Sequence, residues 1–414
     1  MTTNNNLIQT KEELDSFISQ NWNVINQYID EKMSKLTVPF YSSIDIRESR
    51  TKYAPVDNNI YPAGFNNLCL LDLDASAKAI KEALKSFGDN VQKVGIIPES
   101  HTKNTFYLDH LAMLGKAVRD AGFDVVFLGL DQNLFNSSEQ TELNLVSHSG
   151  FDVSLYRTNV LDGRFQVLGN ELESVDVAIL NNDQSTPLDV NWSELKTPVI
   201  PTPKIGWFRR QKPTHFQFYN QVVQEFCQHF NIDSNLIQAK FKSVPDVDFM
   251  NKDGLEKLSA AVDELLGELP AESHVFVKAG QGTYGMGISV VQSGKEIIEM
   301  NRKMRNKMDI GKNKIKFTTA LTQESVETIL KYDEMPAEVT IYQINGKSVG
   351  GFMRANSEKD SHSNLNSRGM VFKKFCISEI RQNQDHKAKE ATYSIIARLS
   401  TLASAYEIEE VIKE

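Results

Sequence analysis

The 414-residue chain has three cysteines, Cys69, Cys227 and Cys376, too far apart to form a metal-type pair. Such sparse thiols predict reduced, mostly buried side chains in a reducing compartment rather than a disulfide scaffold. No stretch approaches the ~20 apolar residues that a membrane-crossing helix requires. The start, MTTNNNLIQTKEEL, has no basic cluster followed by an apolar run, so no secretory signal is read there. The expected compartment is the cytoplasm. Nor is positive charge in excess. With 45 Lys and Arg against 54 Asp and Glu, the formal charge is -9. That argues against a general nucleic-acid or anionic-membrane surface while leaving room for a local basic pocket. The expected partners are small molecules, with neither nucleic acid nor membrane among them. The residues carry no signal for an oligomeric state.

What is present is an ordinary globular composition, 40% hydrophobic and 24% charged. A chain of this length exceeds one core, and at roughly 100–200 residues per domain it suggests two or three. Residues 11–36 have helical spacing, with Leu14, Phe17, Ile18, Trp22, Ile25 and Ile29 on one stripe. A polar, less regular segment is expected from Val38 to Leu68. Strands are then predicted at 93–98, 124–130 and 175–182, with a helix at 105–122 between the first two. Short apolar runs alternating with amphipathic helices predict an α/β domain with a mostly parallel sheet. The Pro-rich stretch at 197–216 marks the boundary, which divides the chain into residues 1–205 and 206–414. Helices are expected at 215–230 and 252–267. Beyond them, strands at 274–279, 287–292, 338–344, 347–355 and 370–376 lie close enough for antiparallel pairing, with helices near 293–306 and 385–405. The second half therefore reads as α+β.

The segment VFVKAGQGTYGMGISVV, Val275 to Val291, carries the clearest chemistry. Gly280, Gly282, Gly285 and Gly287 allow a backbone to approach phosphate oxygens and turn its amides toward an anion. A Rossmann loop would open a helix, yet here a strand-like Ile-Ser-Val-Val follows. A protein-kinase loop would have its lysine on a later strand, whereas Lys278 precedes this one, and no HRD or DFG sequence follows. A Walker loop would end in Gly-Lys-Ser/Thr, which is missing. Strand, lysine, glycine loop, strand is the order found in the ATP-grasp fold, where the ammonium serves as a point charge for nucleotide phosphates.

On these residues the chain resembles ATP-grasp carboxylate–amine ligases. More specifically, it resembles the proteobacterial-type glutamate–cysteine ligases with an ATP-grasp-like C-terminal half. The matching stretches are PVDNNIYPAGFNNL (55–68), VFVKAGQGTYGMGI (275–288), LTQESV (321–326), VTIYQINGKSVGGFMRAN (339–356) and NLNSRGM (364–370). The resemblance implies an N-terminal amino-acid-binding domain and a C-terminal nucleotide-binding and catalytic domain. It implies ATP-dependent joining of the γ-carboxyl of L-glutamate to the amine of L-cysteine through an acyl phosphate, with Mg2+ as cofactor. Gln323, Glu324 and Val326 match the hinge that meets adenine and ribose. Arg354, followed ten residues later by Asn364, matches a spacing found near the transferred phosphate in glutathione synthetases. The resemblance thus assigns Lys278, Arg354 and Asn364 to catalysis. The E-x-N strand that supplies magnesium in many ATP-grasp enzymes has no counterpart in the ending ASAYEIEEVIKE. Glu338, Asn364 and Asn366 are the candidate oxygen ligands, with Glu324 a further one.

The amino-acid site is expected in the polar N-terminal segment. Arg47 and Arg50 suit an α-carboxylate, while Asp57, Asn58, Asn59 and Asn67 add acceptors and donors. Asp45 and Lys52 lie in the same crowd. Asn182, with Asp183 beside it, ends an apolar strand, the usual ligand-facing position of an open α/β sheet. Arg209, Arg210 and Lys212 form a basic cluster that suits either a bound anion or solvent. The lysines of residues 303–316 suit either a lid over ATP or a solvated face. His101 and His215 read as structural. Two alternatives stand beside the lead. One is another ATP-grasp amino-acid ligase, such as a glutathione synthetase or dipeptide ligase. The other is a nucleotide-binding regulatory protein without catalysis.

Overall fold

The structure, a computed structural model, describes residues 6–100, 102–169, 173–281, 287–309, 317–375 and 387–413. His101, Gly282, Gly285 and Cys376 lie outside the described residues, as do residues 310–316 of the lysine-rich tract. The frame is a six-stranded antiparallel sheet. Its strands are β1 (Tyr41–Glu48), β2 (Tyr53–Asn59), β15 (Lys331–Tyr332), β16 (Met335–Ile344), β17 (Lys347–Asn356) and β18 (Met370–Lys374). They run in the order β18-β17-β16-β1-β2, with β15 added to β16. Strands from both sides of the 205/206 division therefore share this central sheet.

The segment expected to be irregular, Val38 to Leu68, contains β1 and β2. Its polarity has a structural cause. Successive side chains of a strand point to opposite faces, and in β1 Ile44, Ile46 and Glu48 take one face while Asp45 and Arg47 take the other. Both faces are buried, but one of them lines a charged cleft. A strand of this kind does not show the apolar run of a core strand.

The opposite face is covered by α1 (Lys11–Gln20), α2 (Trp22–Met33), α5 (Lys212–Phe230) and α9 (Lys387–Lys413). Their core includes Leu14, Ile18, Ile25, Ile29, Phe226, Ile395 and Leu399, packed on Ile44, Ile46, Val339 and Ile341. The single helix expected at 11–36 is two, because Asn21 leaves helical geometry at φ -106° and ψ 19°. Thr10 and Glu13 form a capping box that starts the first helix. In α9, residues 390 to 405 are all buried. A helix enclosed on every side needs no polar stripe, and small residues such as Ala397, Ser400, Ala403 and Ser404 let neighbours approach.

The second sheet has the order β10-β9-β3-β4-β6-β7-β8 with β5 added to β6. It comprises β3 (Lys93–Pro98), β4 (Asp124–Gly129), β5 (Glu142–Val146), β6 (Asp152–Leu161), β7 (Arg164–Val167), β8 (Glu173–Ser174), β9 (Val177–Asn181) and β10 (Val199–Ile200). The pairings from β10 through β9, β3 and β4 to β6 are parallel, as predicted, and an antiparallel extension follows. Helices α3 (Leu70–Lys85) and α4 (Thr105–Asp120) share a core with this sheet and with Tyr342, Val349 and Phe352 of the central one. Gly350 is required at the closest approach, since a Cβ there would lie 2.6 Å from that of Asp72 on α3.

The third sheet is antiparallel, in the order β11-β14-β12-β13. Its strands are β11 (Phe241–Val244), β12 (Val275–Ala279), β13 (Ile288–Val291) and β14 (Ala320–Glu324). With α6 (Lys252–Gly267) and α7 (Gly294–Ile298) it has a separate core that includes Leu258, Val262, Val275 and Val277. Helix α8 (Arg302–Asp309) completes this unit. Cys227 is a free, buried thiol, but Cys69 is disulfide-bonded, so the expectation of reduced thiols fails for Cys69. Distance along the chain does not report the Cα spacing that allows a bridge.

Asn58 was expected in the substrate site, yet it points away from the cleft, because adjacent strand residues cannot share a face. It donates to Ser400 Oγ at 2.9 Å and accepts from Arg210 Nη2 at 2.8 Å and Ser404 Oγ at 3.0 Å. Arg210 is in turn paired with Glu407 at 2.9 Å, and His215 sits against the same carboxylate in a structural role. Asn58→Ala strips an acceptor from a buried guanidinium. It should lower the unfolding free energy by about 1–3 kcal/mol, read as a reduced urea midpoint, and leave amino-acid KM values near those of the parent.

Candidate active site

The cleft floor is the polar face of the central sheet. Arg354, Glu338 and Arg47 lie abreast on β17, β16 and β1, since Glu338 pairs with Arg354 and its neighbour Val339 with Ile46. Arg354 Nη1 lies 2.8 Å from Glu338 Oε1, and Arg47 Nε lies 3.0 Å from Glu338 Oε2. The next row places Asp45 between Thr340 and Asp57. Asp45 accepts from Arg354 Nη1 at 2.6 Å and from Thr340 Oγ1 at 2.7 Å. Arg47 also donates to the carbonyls of Val326, Ser361 and Ser363, which tethers the loop leading to Asn364. Burial opposes ionisation of Glu338, but Arg47 and Arg354 overcome it and hold its carboxyl below the usual range.

The roof is the face of the third sheet that carries Phe276, Lys278, Ile288 and Gln323. Lys278 on β12 donates to Val56 O at 2.6 Å and to Gln323 Oε1 at 2.7 Å. Neither acceptor carries a charge. Burial pushes the Lys278 ammonium down to about 7; Asp57 works against that, while Lys212 and Arg47 add to it. Lys212, at the start of α5, is ion-paired with Asp57, and its backbone amide donates to Gly280 O at 2.7 Å. Burial likewise opposes ionisation of Asp57, yet Lys212 and Lys278 keep its carboxyl below the ordinary range. The cleft is lined by Asp45, Arg47, Asp57, Lys212, Lys278 and Glu338, with Val56, Phe276, Ile288, Asn364 and Asn366. With Arg354 in the floor, four cations face three carboxylates. Lys278 is the cation without an acid of its own among the described side chains.

Both ends of the glycine loop are in place. Gly280 N donates to Thr319 O at 2.8 Å. Gly287 has a φ of +64°, and a Cβ there would lie 2.8 Å from that of Ala279. Left-handed backbone at so close an approach suits glycine.

The fold brings together Arg47, Asp57, Lys278, Glu338, Asn364 and Asn366 along the cleft, with Arg354 in its floor and Gln323 on Lys278. Val326 enters through its carbonyl on Arg47. Other expected residues lie elsewhere. Glu324 is on the opposite face of β14, held by Lys52 at 2.9 Å and by Lys240 N at 3.0 Å. Arg50 is exposed in the β1–β2 turn. Asn59 bonds the backbone of Tyr61, and Asn67 sits in the 3-10 turn Phe65–Asn67. Asn182 is buried, bonding Pro98 O and Gln184 N. Dense polarity drew attention to these positions, but strand alternation and local turns turned them away. Asp45 and Lys212, which the sequence offered only as members of a polar crowd and a basic cluster, also line the cleft, and the residues missed were Val56, Phe276 and Ile288. An i, i+2 reading of β1 would have found Asp45 beside Arg47.

Among the described residues, no group of three or more His, Cys, Asp or Glu is arranged to hold a metal ion. Glu338 already uses both oxygens on arginines, and Asn364 Oδ1 accepts from Asn366 N at 3.0 Å. Glu338 is therefore not free to ligate in this arrangement. Magnesium commonly takes one or two carboxylates along with phosphate and water. Asp57, with 38% of its side chain exposed, fits that requirement, and Asn366 lines the same cleft.

The family model for the GshA glutamate-cysteine ligases matches residues 15–408. A crystal structure of a protein assigned as a γ-glutamylcysteine synthetase, from Methylobacillus flagellatus, superposes with a TM-score of 0.85. It shares 30% identity over 96% of this chain and 96% of that one. A glutathione synthetase-like effector from Globodera pallida aligns at 11% identity and a TM-score of 0.43, covering 86% and 82% of the two chains. That level of similarity supports no argument. No curated protein matches by sequence. No helix among the described residues is long and apolar enough to cross a membrane. Matched over nearly its whole length, the chain belongs to the glutamate–cysteine ligase family.

Proposed function

We propose that this ligase joins the γ-carboxyl of L-glutamate to the amine of L-cysteine at the cost of ATP, through a γ-glutamyl phosphate formed in the cleft. The observation that carries the reading is Lys278: a buried ammonium next to a glycine loop, with only neutral acceptors, opposite a floor whose two arginines already have carboxylate partners. Such a cation is an incomplete ion pair, and a polyphosphate completes it. The roof unit, within residues 206–414, is the ATP-grasp-like side. Lys278, Lys212 and the loop amides bear on the phosphates. The central sheet is the amino-acid side. On this reading Asp57 would hold Mg2+, which would supply further charge neutralisation to the phosphates, and the compartment is the cytoplasm.

The chemistry follows from leaving groups. A carboxylate cannot expel oxide, so its oxygen first attacks the terminal phosphorus of ATP and ADP departs. The amine of the second substrate then attacks the acyl carbon, phosphate departs and the nitrogen loses a proton. Neutralising charge on the moving phosphoryl group is the main electrostatic demand. Enclosure between roof and floor protects the acyl phosphate from water.

Phosphate release from ATP and Mg2+ tests the reading. It should require L-glutamate and L-cysteine together. Release with a different amino-acid pair would move the assignment to another ligase, and tight ATP binding without turnover on any pair would favour a regulatory protein. Lys278→Ala should lower kcat by about 10²–10³-fold, the usual effect of removing one preorganised charge partner. A variant with parental kcat and ATP KM would remove Lys278 from the phosphate site.

The depressed Lys278 pKa has a signed consequence. The protonated form attracts phosphate, so ATP affinity should be full below about 7 and decline as the pH rises through that value. A bound polyphosphate raises the ammonium's pKa, so binding near neutrality should take up a proton. Titration calorimetry in buffers of different ionisation enthalpy reads this directly. It should disappear in Lys278→Met.

A further inference from the structure

The charges of the floor are not equally satisfied. Arg47 has one carboxylate oxygen and three carbonyls around its guanidinium. Arg354 bonds Asp45 and Glu338 through Nη1, and its Nε is buried without a hydrogen-bond partner. Asp45 has Arg354 and Thr340, but faces Asp57 directly across the β1–β2 pairing. Burial raises the Asp45 carboxyl above its ordinary range, and Glu338 and Asp57 reinforce this against the pull of Arg354. The floor therefore holds an anion short of positive charge beside a guanidinium with an unused donor.

Stability alone does not explain such a pair. Buried ion pairs often contribute no more than apolar side chains of the same volume, because desolvation offsets the attraction. The Asp45–Arg354 pair instead resembles an α-amino acid with its charges reversed. A zwitterion carries an ammonium and a carboxylate on one carbon. Inserted here, its carboxylate takes the place of Asp45 on the guanidinium, and its ammonium takes the place of the guanidinium on Asp45. The net charge of the site is unchanged, and each new contact is a charge-assisted hydrogen bond.

We propose that Asp45 and Arg354 are the two poles that hold the α-ammonium and α-carboxylate of the acid substrate, with Glu338 and Arg47 acting as positioning residues behind them. This rests on the ligase reading above and deepens it by naming which end of the substrate is recognised. An acid held by its α-groups has its side-chain carboxylate left for activation beside Lys278. Selection for the γ-linkage then lies in the floor and not in the phosphate loop.

Two analogues separate the poles. Glutarate is glutamate without the amino group; 4-aminobutanoate is glutamate without the α-carboxylate. Binding to the full chain is measured by calorimetry in the presence of a non-hydrolysable ATP analogue and Mg2+. Asp45→Asn should weaken L-glutamate by about tenfold or more, the effect of one lost charged hydrogen bond, and leave glutarate unchanged. Arg354→Gln should weaken L-glutamate and glutarate alike and leave 4-aminobutanoate unchanged. Equal losses for all three ligands in Asp45→Asn would overturn the clamp, as would L-glutamate binding that neither variant alters. Thermal melts confirm that both variants fold; Arg354→Lys replaces Arg354→Gln if the latter does not. If the parent binds another α-amino acid but not L-glutamate, the glutamate reading fails. The clamp is then tested with that acid and its des-amino form. If no α-amino acid binds the parent, the clamp itself is overturned.

Discussion

Glu338 is the side chain on which the arrangement of the cleft depends. Its two oxygens hold Arg47 on one side and Arg354 on the other, joining a strand from near the N-terminus to one far along the chain. Removing one partner from such a buried pair is costly, because a charge is stranded in a region of low polarity. The row also acts beyond itself. Arg47 carries its remaining donors to the carbonyls of Val326, Ser361 and Ser363. It thereby fixes the end of β14 and the loop that brings Asn364 to the cleft. One carboxylate thus aligns the floor, the roof's edge and the connecting loop.

Floor and roof are built differently, and the difference suits a ligase. The floor is a sheet backed by four helices, including one whose middle is buried all round. Behind it, Arg210, Glu407, His215 and Asn58 satisfy one another, so the strand bearing Asp57 is held from its far side. The roof has its own apolar core around α6 and β12. Its bonds to the floor include Lys278 to Val56 O, Lys212 N to Gly280 O, and Arg47 to Val326 O. These are polar contacts, which on the proposed reading a nucleotide or amino acid replaces. A rigid platform positions substrates, and a separately packed cover can adjust to them.

Charge balance ties the two surfaces together. Three carboxylates and four cations meet in the cleft, and the surplus falls on Lys278 next to the glycine loop. Pairing within the floor compensates Arg47 and Arg354 before any ligand arrives. The roof is left electropositive, while the floor is neutral overall. On the proposed reading these two environments suit a polyphosphate and a zwitterion.

The sequence by itself determined the parts that depend on local pattern. The helices at 105–120 and 252–267 and the strands at 93–98, 275–279 and 347–356 were legible because apolar periodicity and turn residues act over short distances. Lys278 with its glycine loop was legible because a lysine and a glycine run are one contiguous stretch of chain. The sequence also marked Arg47, Asp57, Arg354 and Asn364, but as separate hints. Only the tertiary structure decided which of them share a cleft. Asp57 and Asn58 are neighbours in sequence and lie on opposite faces of one strand. Glu324 follows Gln323 and faces away from Lys278. Polar β1 and β2 read as irregular because their cleft face supplies charge where a core strand supplies apolar side chains. The state of Cys69 and the sharing of Glu338 between two arginines depend on distances across the fold, and no spacing along the chain encodes those.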